Sequence, residues 1–305
     1  MTFSVGIIDS GKAYLPEKYA YRDYLQSNGM YVEAGDQNEI LSMLRVQRFD
    51  VLIRFGGVLP PIQEYSDVAE IHEFHSASTG SFPTIKNLIK RVKSKRPAGR
   101  IFLNAFVERE FNFHDGVPHI LRDMGASPRL LECRNCKLKK YDIVYAGSLS
   151  GRPGLWGVID KLVKKGYRIG LAGKLDHRRS RWVGDRPEIS WVGRLDHRDV
   201  PEFLKLGKMG LNFIPDKYPY PYQTSTKVIE YLVAGLPIVS NRYPWIETHS
   251  RQHGYRYIDL VNLLNGEYCS EEDDLIVDNA ASFTWPEVLR QSNFCDFVLK
   301  VGAIS

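Results

Sequence analysis

Short apolar runs, several of them ending in glycine, alternate with helix-like segments along this chain, and the alternation begins twice. In the first half, residues 3–8, 30–33, 50–56, 68–74 and 100–104 read as strands, with helical patterns over 19–27, 39–48 and 85–100. The pattern restarts at Tyr141-Asp-Ile-Val-Tyr-Ala-Gly147. Strands near 167–172, 189–192 and 209–214 follow, with helices near 155–165 and 200–206. Strands and helices in this order make a parallel sheet covered on both faces. The expected architecture is therefore α/β, with two Rossmann-like domains over 1–138 and 139–284. The basic tract 134–140 is the connector, and the tail over 285–305 reads as helical. Two such halves place ligands in a cleft beyond the carboxyl ends of both sheets.

A length of 305 residues accommodates two domains, and 43% hydrophobic with 25% charged residues is the composition of a soluble globular protein. No apolar run approaches membrane-spanning length, and the chain enters its first strand with no secretory signal, so a cytoplasmic location is expected. Cys133-x-x-Cys136 lacks a second ligand pair at motif spacing, and with Cys269 and Cys295 it reads as incidental thiols. The net charge of +5 is unevenly spread. Residues 85–100 carry Lys86, Lys90, Arg91, Lys93, Lys95, Arg96 and Arg100 without one acid, beside an apolar stripe of Ile85, Leu88, Ile89 and Val92. Such a helix packs on a sheet and is solvated on its basic face, or it rests on anionic lipid at a membrane surface.

The most informative stretch is Gln223-Thr-Ser-Thr-Lys-Val-Ile-Glu-Tyr-Leu-Val-Ala-Gly-Leu-Pro-Ile-Val-Ser240. Thr224, Ser225 and Thr226 are all competent helix N-caps. Val228, Ile229, Leu232 and Val233 form an apolar face. Gly235 suits a left-handed C-terminal cap, and Pro237 prevents further helix. Lys227 and Glu230 then share one face near the positive end of the helix. They form either a surface ion pair or a nucleotide site. In the second case the helix start and Lys227 hold a diphosphate, and Glu230 accepts hydrogen bonds from a ribose diol.

The segment from Lys227 to Ser240 resembles the donor site of GT-B glycosyltransferases, and of glycosyltransferase family 4 in particular. The resemblance covers residues 141–290 and is weak before them, and it implies that the terminal helix over 285–305 packs near or across the domain junction. It implies a metal-independent transferase that uses a nucleoside-diphosphate sugar and needs no cofactor. Ser225, Thr226 and Lys227 then face the diphosphate, and Glu230 the ribose. Many family members carry a further glutamate where this chain has Tyr222, so either Tyr220, Tyr222 and Gln223 meet the sugar instead or the chain belongs to a divergent branch, and Thr224 joins the nucleotide-sugar contacts at the helix start. Gly147 and Ser148 take the place of a family Gly-Arg, which passes the cationic role to Arg152. Gly193 and Arg194 fall near the base. His75 stands in for a first-domain histidine that touches the donor sugar.

The resemblance also implies retention of anomeric configuration, with a carbohydrate or lipid-linked acceptor of the kind used in bacterial surface polysaccharide synthesis. Peripheral attachment to the inner face of the plasma membrane fits that context. An inverting enzyme would need a first-domain carboxylate as base, with Asp9, Glu73, Glu108, Glu110 and Asp115 as candidates and His72 also within reach of the cleft. A nucleotide-sugar-binding protein without turnover and an epimerase are alternatives. No dinucleotide fingerprint, Walker loop or nucleophile elbow is present. No nucleic-acid module accompanies the basic tract, so nucleic acid is not an expected partner.

Overall fold

All strand pairs in the chain's two sheets are parallel. The structure is a computed structural model describing residues 2–9, 15–46, 48–62, 68–134, 138–267, 277 and 279–303. Contacts divide the chain into Met1–Gly125 with Trp285–Ser305, and Ala126–Thr284. Cys136, Cys269 and part of the expected connector lie outside the described residues.

The first unit runs β1 (Ser4–Asp9), α1 (Pro16–Ser27), β2 (Tyr31–Asp36), α2 (Gln37–Leu44), β3 (Val51–Phe55), β4 (Ala69–Phe74), α3 (Pro83–Lys93), β5 (Gly99–Phe102), α4 (Ala105–Phe111) and β6 (His119–Leu121). Its sheet has the order β2-β1-β3-β4-β5-β6. Helices on both faces bury β1, β3, β4 and β5 throughout, which is why most of them read as near-continuous apolar runs. β4 departs from that pattern because it buries Glu70, His72 and Glu73. Each of them has a partner. Arg54 donates to Glu70 at 2.6 Å, His72 meets the same carboxylate at 3.1 Å, and Arg122 pairs with Glu73.

The second unit runs β7 (Tyr141–Ala146), α5 (Leu155–Lys164), β8 (Ile169–Ala172), α6 (His177–Gly184), β9 (Ile189–Trp191), α7 (Val200–Leu204), β10 (Gly207–Asn212), α8 (Thr226–Ala234), β11 (Ile238–Ser240), α9 (Pro244–His253), β12 (Ile258–Asp259) and α10 (Leu260–Asn265). Its order, β12-β11-β10-β7-β8-β9, reverses direction between β7 and β10. The core gathers Ile143, Leu155, Ile159, Leu171, Leu211 and Val239 between sheet and helices. The second unit begins earlier than the 138/139 boundary expected from sequence. The 3-10 turn Pro128–Cys133 packs on α7 and α8, and the Cys133 thiol donates to Pro201 O at 3.3 Å.

After Thr284 the chain returns to the first unit as α11 (Trp285–Gln291) and α12 (Phe294–Gly302). Phe297 and Val301 approach so closely that a Cβ on Gly99 would lie 2.8 Å from each. Sequence reading missed α4, α6, α9, α10, β6 and β12. Asn104, read as a strand end, caps α4 by accepting from Val107 N at 3.0 Å. No helix among the described residues is long and apolar enough to cross a membrane.

Candidate functional site

Open parallel sheets bind ligands beyond the carboxyl ends of the strands at the point where strand order reverses. In the second unit those ends belong to β7 and β10, and they lead into Gly147 and Phe213. Gly147 has φ 141°. A Cβ placed on it would lie 2.7 Å from the Nζ of Lys227. Torsion and space together demand glycine here. Gly173, after β8, supports the same turn: a Cβ there would meet Gly147 O at 2.2 Å.

Lys227 is only 7% exposed. Its ammonium lies 5.0 Å from the centre of the Tyr145 ring. Arg152 donates to Phe213 O at 3.3 Å and adds a second positive charge to the neighbourhood. Burial, and after it repulsion from Arg152, draws the Lys227 ammonium below the usual lysine range, with Glu230 opposing the shift. Glu230 is half-buried one turn along α8, and burial raises its carboxyl while Lys227 opposes. Within the described residues Glu230 makes no hydrogen bond or ion pair. The two groups are charge neighbours that remain open to other partners.

α8 begins without a side-chain cap. Ser225 occupies the N-cap position, but its hydroxyl donates to Asn212 Oδ1 at 2.8 Å and does not close the helix. The Asn212 amide, fully buried at the end of β10, donates to Ser240 Oγ at 2.8 Å and Tyr243 OH at 2.9 Å. This network ties the first turn of α8 to the ends of β10 and β11. Capping by Thr224, Ser225 or Thr226 was the expectation, and the buried amide outcompetes it for the serine hydroxyl. The first N–H groups of α8 therefore remain uncapped at its positive end. With Lys227 and Arg152 nearby, they form a site for adjacent negative charges. At the other end Gly235 adopts the left-handed cap, with φ 66°.

The remaining sequence-predicted residues are placed more loosely. The Ser148 hydroxyl closes its own turn by donating to Ser150 O at 2.8 Å. Gly193, with φ 79°, follows β9 two strands from Gly147 and accepts from Gly173 N at 2.7 Å. Arg194 is exposed beside it. Tyr222 is exposed at the end of the 3-10 turn Tyr220–Tyr222, its ring 5.9 Å from that of Tyr218. Gln223 and Thr224 lead from that turn into α8. Asn212, Tyr243 and Gly173 escaped sequence reading. Asn212 gave one signal, as a polar residue inside the apolar run 209–214.

His75 belongs to the first unit, just beyond β4, with its ring 6.2 Å from that of Phe55. Burial lowers its pKa, Glu17 opposes this, and its Nδ1 has no partner. Glu17, unnoticed in the sequence, is 2% exposed with Oε2 likewise unpaired. By contrast, every carboxylate proposed from sequence as a base already has a protein partner. Lys18 holds Asp9 at 2.5 Å, Arg122 and Tyr21 hold Glu73, and His119 meets Glu108 at 2.9 Å. Asn87 donates to Glu110 at 3.1 Å, and Arg100 donates to Asp115 at 2.6 Å. His72, buried inside β4 against Glu70, is not at a strand end.

Two Rossmann-like units, the second with its polar site at the switch point, define the GT-B architecture. Solved structures of that architecture match the chain over nearly its whole length. AviGT4, a glycosyltransferase involved in avilamycin A biosynthesis, has 15% identity and a TM-score of 0.65, covering 99% of both chains. Sucrose-phosphate synthase from Thermosynechococcus elongatus has 11% identity and a TM-score of 0.65, covering 99% of this chain and 98% of its own. Anabaena HepE, in complex with UDP and glucose, has 12% identity and a TM-score of 0.64, covering 95% of this chain and 98% of its own. No protein-family model matches the chain, and no curated protein matches it by sequence. At these identities the likeness is one of fold.

Proposed function

We propose that this chain is a glycosyltransferase that moves a sugar from a nucleoside-diphosphate sugar to an acceptor hydroxyl. The observation that carries the reading is the meeting of Lys227, Arg152 and the uncapped start of α8 at the switch point of the second sheet. Negative charge grows on the leaving diphosphate as the glycosidic bond breaks. Fixed N–H groups and two cations already in place stabilise that charge without reorganising. In this reading the reaction needs no metal. Glu230 takes the ribose, Gly147 and Ser148 border the phosphates, and Gly193 and Arg194 flank the base. Tyr222 and Gln223 face the transferred hexose.

A thermal-shift screen of nucleotide sugars, followed by transfer assays with and without chelator, tests the reading, since selective binding raises Tm by mass action. Glu230→Ala should weaken donor binding, and Lys227→Ala should lower turnover more than binding. Unchanged kinetics in both variants would remove the site. The family resemblance supports retention, which the anomeric configuration of the product decides. A protein that binds donor but neither hydrolyses nor transfers it would be a binding protein. Conversion of the donor with no acceptor present would mean an epimerase.

We also propose that the enzyme works in the cytoplasm against an anionic membrane, with a carbohydrate or lipid-linked acceptor. Support comes from α3, whose stripe does not pack on the sheet. Phe82, Ile85, Leu88, Ile89 and Val92 are all exposed, and Asn87 is the buried residue of the helix. Exposed apolar side chains among Lys86, Lys90 and Lys93 suit an acidic lipid surface. Sedimentation with phosphatidylglycerol vesicles should carry the protein down, and Phe82→Ser with Val92→Ser should leave it in solution.

A further inference from the structure

The polar loop after β4 and the inner edge of α3 border an open cavity of about 410 Å³ in the first unit. Val58, Ser76, Ser78, Lys86, Ile89 and Lys90 line it. Its frame is rigid. Asn87, 1% exposed, accepts from Ser78 N at 2.9 Å and donates to Glu110 Oε2 at 3.1 Å, which fixes the loop on the helix. Lys86 Nζ donates to Thr79 O at 3.1 Å. Lys90 is drawn inward, with its ammonium 5.7 Å from the centre of the Phe111 ring.

Two groups in this cavity lack a hydrogen-bonded or acidic partner among the described residues. The Ser78 hydroxyl is buried with no hydrogen bond, although the residue is only 6% exposed. A buried hydroxyl left unpaired loses its hydration with nothing in return. Lys90 is lowered from its usual range by burial and then by Lys86, and no acidic group opposes either effect. The cavity also follows directly on His75, which senses the charge of Lys90. Two ammonium groups and a hydroxyl donor at the carboxyl end of a parallel strand fit a tetrahedral oxyanion.

We propose that this cavity binds a phosphate group carried by the acceptor, with Lys86, Lys90 and Ser78 as its ligands. The inference rests on the transferase reading and narrows the acceptor to a phosphate ester. Val58 and Ile89 supply an apolar wall, and Ile89 continues into the exposed stripe of α3, so the ester's other arm has an apolar path. The phosphate can come from a soluble sugar phosphate or from a lipid.

Titration calorimetry with inorganic phosphate and flotation with phosphatidylcholine vesicles containing phosphatidic acid separate these two sources. Binding of UDP, GDP, ADP and dTDP is measured in parallel as a control on the second unit. Phosphate binding should weaken about tenfold or more in Lys86→Gln/Lys90→Gln, with partial recovery in Lys90→Arg. Ser78→Ala should weaken it several-fold while leaving Tm equal or higher, because it deletes an unpaired buried hydroxyl and no charge. Vesicle binding without free phosphate binding, lost in Ser78→Ala, supports the lipid source. Binding of either probe that ignores Ser78→Ala reports only surface charge and overturns the inference, as does the failure of both probes to bind. If one of these nucleotides binds and phosphate does not, the cavity assignment fails and the transferase reading stands. If phosphate binds and none of UDP, GDP, ADP and dTDP does, the transferase reading fails.

Discussion

The buried charges of the first unit and those at the start of α8 follow opposite rules. In the first unit Arg122 and Glu73 are completely buried, and each is bonded to the other and to Tyr21. Burial pushes the Glu73 carboxyl up to about 7, while Arg122 and the Tyr21 hydroxyl pull it back. Every donor there has an acceptor. In the second unit Lys227 is nearly as buried, yet its closest charged company is another cation and a carboxylate that does not bond to it. The first arrangement is complete without a ligand. The second is left without a bonded acid, and that is the physical difference expected between a structural ion pair and a binding site.

The largest effect expected is on the closed cluster. Arg122→Met leaves Glu73 buried without its counter-ion, and chemical denaturation should show a loss of about 3–5 kcal/mol. A smaller loss would mean that Tyr21 and Glu17 can reorganise around the carboxyl.

Next comes a titration that touches neither region. His249, packed between Trp245 and His253, is held down to about 3, first by burial and then by His253. A histidine lowered in the folded state contributes stability that is complete above its unfolded pKa of about 6.5 and is lost as pH falls toward the folded value. Between pH 7.5 and 5 the second unit should lose roughly 2 kcal/mol to this one group. His249→Gln should flatten that part of a Tm-versus-pH curve.

At the open site the effects on stability shrink while the effects on function grow. Gly147→Ala forces a Cβ toward the Lys227 ammonium at a positive φ, at about 1–2 kcal/mol. It should lower turnover through the displaced lysine, and an unchanged rate would show that Lys227 need not sit beneath that turn. The smallest change in stability is expected for Lys227→Met. It removes a buried cation that has no bonded acid, so Tm should hold or rise while turnover falls. A collapse in Tm would place Lys227 with Arg122 among the structural charges.

Much of the fold was legible in order. Strands buried on both faces leave apolar runs, and the glycines after β7, β8 and β9 mark their ends, so the two parallel sheets could be counted from composition and period. Several pieces escaped, α6, α9, α10 and β12 among them, and β6 and α4 show why. β6 is an edge strand of three residues, and α4 depends on Asn104 as its cap. The return of α11 and α12 to the first unit is decided by which sheet their apolar faces fill, and a local pattern does not record that.

The candidate site divides along the same line. Lys227, Glu230, Ser225 and Gly235 were readable because helix geometry relates residues within a few positions of one another. The approach of Gly147 to Lys227, the hold of Asn212 on Ser225, and the pairing of each proposed base join residues far apart in the chain. Sequence alone determined the secondary structure and the chemistry at the start of α8. Only the tertiary structure decided which buried charges cancel one another and which are left without a bonded counter-ion, because electrostatic partnership depends on distance through space and not on separation along the chain.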